Sequence, residues 1–184
     1  MKNGEGSYHR FLNGEKEAFS EVVEIYRQSL TFFINRYLSN LSESEEIAED
    51  CFVELIVHPR RYNFKTSLKT YLFTIARNKA IDRIRKKKFT LKNSEGVLSS
   101  ASEDFSDFYE DFLKDEQKKT LHSALNRLND DYKTALHLVY FENMSYEEAS
   151  LVMKKNLKQV TNLVYRAKIS LREILEKEGF TYEG

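Results

Sequence analysis

The chain has 184 residues, enough for one ordinary domain or two small ones, and its 41% hydrophobic content supports a folded core over a disordered chain. Lys and Arg number 29 against 29 Asp and Glu, a neutral balance that argues against a protein coating nucleic acid by bulk electrostatics. One Pro and six Gly leave few helix breakers, and nothing approaches the roughly 18 consecutive apolar residues of a membrane span, so an all-α protein of the cytosol is expected.

In chain order, Phe19, Val22, Val23, Tyr26, Leu30, Phe33, Ile34, Tyr37 and Leu38 recur at helical spacing and predict one long amphipathic helix from about Glu15 to Leu38. Ser42 with Glu45 fits a capping box for a second helix, whose apolar stripe is Ile47, Ala48, Cys51, Phe52, Leu55 and Ile56. That helix stops at His58-Pro59 and carries Glu43, Glu45, Glu46, Glu49, Asp50 and Glu54 with no base among them. The loop Arg60-Arg61-Tyr62-Asn63-Phe64-Lys65 is basic and aromatic, and Thr66 or Ser67 can cap a third long helix. Leu68, Tyr71, Leu72, Ile75 and Ala76 form its buried stripe, and beyond Arg77 it becomes basic through Lys79, Arg83, Arg85, Lys86, Lys87, Lys88 and Lys92. Of the nearby aromatics, Phe64 and Tyr71 are expected in the core, and Tyr62, beside two arginines, is expected to be available to unstacked bases.

From about Phe89 to Asp115 periodicity fades into Ser, Asp and Glu with scattered Phe105, Phe108, Tyr109 and Phe112, the pattern of an acidic linker. Four shorter helical segments follow, about Glu116 to Leu128, Asp130 to Glu142, Ser145 to Met153 and Leu157 to Lys177. Ser145 with Glu148 is a second capping-box candidate, and Lys154-Lys155-Asn156 separates the last two segments as in a helix-turn-helix. Tyr146, Ala149, Val152 and Met153 can pack on Val160, Val164, Ala167 and Leu171. Asn156, Lys158, Gln159, Thr161, Asn162 and Arg166 are left on the polar side of the final helix, where amides can meet adenine edges and cations can meet phosphate or guanine. The residues alone leave a solvated helical hairpin equally open.

Catalysis has little support. There is no Gly-rich phosphate loop and no nucleophile motif; His9, His58, His122 and His137 lack metal-ligand spacing; the only cysteine, Cys51, reads as a small core hydrophobe. A non-enzymatic protein without cofactors is expected.

The acidic helix with Ile47-Ala48-Glu49-Asp50 and Glu54, the run from Tyr71 to Asp82, and the pair Met144 to Ala149 with Val160 to Lys168 resemble the bacterial sigma factors of the extracytoplasmic function group. The resemblance covers nearly the whole chain. It implies two small helical domains joined by a flexible acidic linker, with boundaries at 1–90, 91–115 and 116–184, and an alternative sigma factor that directs transcription initiation. It further implies that Ile47, Glu49, Asp50 and Glu54 dock on the β′ clamp helices of core RNA polymerase, with the β flap as a second polymerase contact and the linker threading toward the RNA exit path. Arg60, Arg61, Tyr62, Asn63, Tyr71, Arg77, Asn78, Arg83, Lys86 and Lys87 would read and open the minus-ten element. Asn156, Lys158, Gln159, Thr161, Asn162 and Arg166 would read the minus-thirty-five element of promoter DNA. An anti-sigma factor, able to hold the protein at the membrane, is the implied regulator. Lys154 stands where the family's turn usually has Gly. Two other readings stay open: an operator-binding regulator that works without polymerase, and a sigma-like helical interaction protein.

Overall fold

A computed structural model describes residues 4–93 and 116–179, and every regular element among them is helical. The helices fall into two compact units, one within residues 1–103 and one within 104–184. Helices α1 (Gly4–Leu12), α2 (Ala18–Leu38), α3 (Leu41–Val57) and α4 (Leu68–Asn93) make the first, with a 3-10 turn at Pro59–Arg61. Helices α5 (Glu116–Asn126), α6 (Asp130–Leu136), α7 (Tyr146–Met153) and α8 (Leu157–Lys177) make the second, and a π-helical turn, His137–Phe141, prolongs α6. Most of the acidic linker, with Phe105, Phe108, Tyr109 and Phe112, lies outside the described residues.

The first unit packs α3 and α4 on α2. Leu30, Phe33 and Ile34 of α2 meet Ile47, Ala48, Cys51, Phe52 and Leu55 of α3 and Leu68, Leu72, Phe73, Ala76 and Ala80 of α4, all buried. The rings of Phe33 and Phe73 lie 5.0 Å apart. Cys51 is a fully buried core residue whose thiol is pushed up to about 12 by that burial.

One helix start differs from the sequence reading and another agrees with it. The cap of α3 is Asn40, whose side chain accepts from the Glu43 amide at 2.9 Å, so the helix begins ahead of the Ser42–Glu45 pair. Ser42 instead lies inside the first turn. Ser67 caps α4, accepting from the Thr70 amide at 3.2 Å.

Helix α1 is the element the sequence reading lacks. Its nine residues include two glycines, poor helix formers in a segment too short to stand alone, so propensity gives no signal. Tertiary contacts hold it. Pro59 has no N–H with which to close the last turn of α3 on the Leu55 carbonyl, and the fully buried Tyr8 hydroxyl donates to that oxygen at 3.0 Å. Ser7 donates to Glu21 at 2.7 Å, and Arg10 bridges Glu15 and Glu21 at 2.6 and 2.5 Å. Gly4 lies against the Tyr26 ring so closely that a Cβ there would come within 2.4 Å of Cε2.

In the second unit, Ala149, Val152 and Met153 of α7 and Val160, Val164, Ala167 and Leu175 of α8 are buried together with Ala135, Leu136 and Leu138. Ser145 and Glu148 form the expected capping box, at 3.1 and 3.0 Å. The turn between α7 and α8 keeps the left-handed conformation: Lys154 has φ 53° and ψ 43°, and the Lys155 amide closes on the Ser150 carbonyl at 3.1 Å. A lysine therefore occupies a position that glycine adopts without strain.

Two outcomes follow from these contacts. Tyr8→Phe, which strands the Leu55 carbonyl, should cost about 1–2 kcal/mol in denaturant unfolding of the first unit, and an unchanged midpoint would contradict the role given to the hydroxyl. Lys154→Gly should relieve the left-handed strain and raise the second unit's stability by about 0.5–1 kcal/mol, read as a higher melting temperature.

Candidate nucleic-acid and partner interfaces

Helix α3 turns its apolar stripe inward and its acids outward. Ile47 is 2% exposed and belongs to the core, which corrects its assignment as a surface contact. Glu49 and Asp50 are exposed and Glu54 is half-buried. Between them, Val53, Ile56 and Val57 are also exposed, so Ile56 leaves the buried stripe in which its spacing had put it. The face is thus mixed, carboxylates beside an apolar patch, and Ile56 continues into an open depression lined by Phe11, Phe19 and Val23. Three cations meet these acids: Arg27 on Glu49 at 3.2 Å, Lys79 on Asp50 at 3.8 Å and Arg61 on Glu54.

The loop after Pro59 reverses the expected roles of its aromatics. Tyr62 is 3% exposed, with its hydroxyl 2.8 Å from the Thr66 carbonyl and 3.0 Å from the Glu5 carboxylate, so the ring is a structural member of the loop and is not offered to a base. Burial, then the bond to Glu5 and its charge, push the Tyr62 hydroxyl well above the ordinary tyrosine value. Phe64 instead is 42% exposed, its backbone held at φ 59°, with its ring centroid 4.5 Å from that of Tyr62 and 5.8 Å from that of His9. A bulky residue in the left-handed region is a strained backbone, of the kind that clusters at ligand sites. Asn63 forms a local turn by accepting from the Lys65 amide at 3.1 Å, and Arg60 and Arg61 are exposed beside it. Tyr71 packs half-buried on Tyr62, with ring centroids 5.1 Å apart.

Along α4, Arg77 and Asn78 are half-buried, and the Arg77 Nε has no hydrogen-bond partner among the described residues. Lys86 is exposed. Arg83 and Lys87, expected on DNA, pair with α3: Arg83 lies 3.5 Å from Glu43 and 3.4 Å from Glu46, and Lys87 lies 2.6 Å from Glu43.

On α8 all six expected residues, Asn156, Lys158, Gln159, Thr161, Asn162 and Arg166, are exposed, opposite the buried Val160, Val164 and Ala167. They are not equivalent. Asn156 and Gln159 cap each other's backbone amides at 2.8 Å each, a box that the Asn-x-x-Gln spacing itself announces. Thr161 donates to the Leu157 carbonyl at 2.9 Å. Lys158, Asn162 and Arg166 stand four residues apart and form one stripe along the helix, the arrangement that a groove-reading helix uses. Tyr165 is 66% exposed on the same helix. Tyr140 and Phe141 project from the π-helical turn, with the Lys168 ammonium 4.8 Å from the Tyr140 ring, and no periodicity in the sequence marks that turn.

The chain matches two models of one family, sigma-70 region 2 over residues 22–90 and sigma-70 region 4 over residues 118–171, together about two thirds of its length. Among curated proteins it is 29% identical to the ECF RNA polymerase sigma factor SigW of Bacillus subtilis, over 88% of this chain and 91% of that protein. It is 24% identical to the RNA polymerase sigma-H factor of Pseudomonas aeruginosa, over 91% of each. Among solved structures, the sigma factor RpoE of Bartonella quintana, in complex with the anti-sigma factor NepR, shares the fold with a TM-score of 0.66 at 23% identity, covering 86% of this chain and 96% of that one. CnrH in complex with the cytosolic domain of CnrY does so with a TM-score of 0.65 at 18% identity, covering 95% and 99%. Its region 2 and region 4 matches, one in each helical unit, and these full-length relatives make the chain a member of the sigma-70 family, in the extracytoplasmic function group, and an alternative sigma factor that directs transcription initiation.

Proposed function

We propose a division of that activity among three surfaces. The outward face of α3, with Glu49, Asp50 and Glu54 around Val53, Ile56 and Val57, docks on the β′ clamp helices of core polymerase. Its mixture of carboxylates and exposed aliphatics suits a protein partner better than a polyanion. The loop from Pro59 to Lys65 and the half-buried row Tyr71, Arg77 and Asn78, with Lys86 beyond, open and read the minus-ten element. There Phe64 replaces Tyr62 as the ring presented to an unstacked base, with Arg60 and Arg61 on adjacent phosphates. Helix α8 reads the minus-thirty-five element through Lys158, Asn162 and Arg166, while Asn156 and Gln159 hold the helix start against the phosphate backbone. The single observation that carries this reading is the α8 stripe in the same chain as the acidic, partly apolar face of α3.

Each domain keeps one job in this scheme: residues 1–90 for polymerase and the minus-ten element, 91–115 as the linker toward the RNA exit path, and 116–184 for the minus-thirty-five element and the β flap. The protein is a specificity subunit of the cytoplasm and performs no chemistry of its own. Anti-sigma factors accompany both RpoE and CnrH in their structures, and a partner of that type fits this chain's exposed α3 face. No helix among the described residues is long and apolar enough to cross a membrane, so membrane retention would come through that partner.

The test is run-off transcription with purified core polymerase and a library of promoter fragments. Starts that depend on the protein and share two spaced upstream elements support the proposal; sequence-specific DNA binding by the isolated protein with no new starts supports an operator-binding regulator instead. Glu49→Lys and Asp50→Lys should each weaken core binding about tenfold in a competition assay while leaving the circular dichroism spectrum unchanged. Core binding unaffected by both reversals would remove α3 from the docking surface.

A further inference from the structure

The acids of α3 and the bases of α4 face one another as a ladder. Glu43, Glu46 and Asp50, at spacings of three and four, meet Lys79, Arg83 and Lys87, at spacings of four, through contacts of 2.6 to 3.8 Å. None of these residues is buried, so the pairs contribute little to folding. Their consequence is electrostatic. Arg83 and Lys87 flank Lys86, the base that the reading above gives to DNA on this half of α4, and Glu43 holds both. A phosphate that contacts them has first to displace a carboxylate that is already in place.

We propose that this ladder is a built-in anion that masks the DNA-facing bases of α4 and keeps the free protein's affinity for nucleic acid low. The proposal rests on the assignment of α4 to DNA. Three features of the structure favour a mask over a passive surface network. First, the competitor is intramolecular, so it acts at high effective concentration and dilution does not relieve it. Second, the pairs stay solvent-accessible, so phosphate can exchange for carboxylate without unfolding anything. Third, one of the three carboxylates, Asp50, belongs also to the face proposed for polymerase, so a cationic partner on that face would draw it from Lys79 and open the ladder from one end. Neutral net charge at the level of the whole chain then has a local counterpart: Lys79, Arg83 and Lys87 of the basic helix are neutralised by its own neighbour.

Carboxylates in the ladder should differ from those outside it. Glu45 is exposed on the same helix and pairs with none of these bases among the described residues, so Glu45→Gln removes one negative charge and leaves the ladder whole. The experiment measures binding of a fluorescent single-stranded DNA of random sequence, at low salt, to the full-length wild type and to Glu43→Gln, Glu46→Gln and Glu45→Gln. Glutamine keeps the shape of the side chain, and the α3 cap uses only the backbone of Glu43, so all three variants should melt as the wild type does. Glu43→Gln, which frees two bases, should tighten binding about two- to fivefold, Glu46→Gln should tighten it less, and Glu45→Gln should change it least. The differences should fade as salt shortens the screening length. Equal effects of Glu43→Gln and Glu45→Gln would overturn the mask, because net charge alone would explain them. Run-off transcription on the same preparations separates this outcome from the functional assignment. Equal effects with promoter-dependent starts intact overturn only the mask, whereas tightening by Glu43→Gln with no starts from any variant supports the mask, and with it α4 on DNA, and overturns the proposed docking of α3 on polymerase.

Discussion

The packing of α3 and α4 on α2 is the constraint from which the first unit's functional geometry follows. Burying Ile47, Ala48, Cys51, Phe52 and Leu55 against Leu68, Leu72, Phe73, Ala76 and Ala80 fixes the rotation of both helices about their own axes. Once that rotation is set, the remaining positions have no freedom: the carboxylates of α3 and the cations of α4 come out along one edge and pair. The hydrophobic term decides here. Burial of that many side chains is worth tens of kcal/mol before entropy is subtracted, while each exposed pair is worth about 1 kcal/mol or less, so the ion pairs follow the core and do not direct it. Their value lies in what they do to a third party.

In the second unit the corresponding constraint is the short turn between α7 and α8. The turn requires a left-handed residue and a capped start for α8, and the sequence meets these with Lys154, Asn156 and Gln159. The amides that a list of polar residues would assign to base reading are already engaged, each holding the other's backbone amide. Capping removes them from the pool of freely pairing groups in the free protein and leaves Lys158, Asn162 and Arg166 as the stripe. Lys155 adds a tether to α6, through Asp131 at 3.1 Å, so the two lysines of the turn are bound to fold geometry even though their charge suggests DNA.

The elements that were legible in the sequence are those with sustained period and punctuation. The long helices α2, α4 and α8, the stop at Pro59 and the Ser145 capping box follow from residue spacing and cap chemistry, because those signals are local. What was not legible depends on contacts between distant residues. Helix α1 is held because a tyrosine satisfies a carbonyl 47 positions away that a proline leaves open, a pairing no window of the sequence contains. The aromatics of the loop have no period at all, so which of Tyr62 and Phe64 turns inward is decided by Glu5, Tyr8 and Thr66. Ile47 and Ile56 look alike on the stripe of α3, yet they are nine positions apart, two and a half turns of helix, so one faces the core and the other solvent.

The proposed assignment of α4 and α8 to DNA gives the chain's neutral charge balance a physical reason. A factor that must leave most DNA alone gains nothing from a strong, sequence-independent attraction, since that term grows with every uncompensated cation. Distributing recognition between α4 and α8, on units joined through one chain, lets two modest contacts multiply when both are engaged and keeps each weak when alone. Pairing α4 with α3 lowers one of those terms further, and the pairing is reversible because it is exposed. Under the proposed mask, affinity moves from the free protein to the state in which a partner occupies α3, and selectivity results from the difference between the two states, with no need for tight binding in either surface by itself.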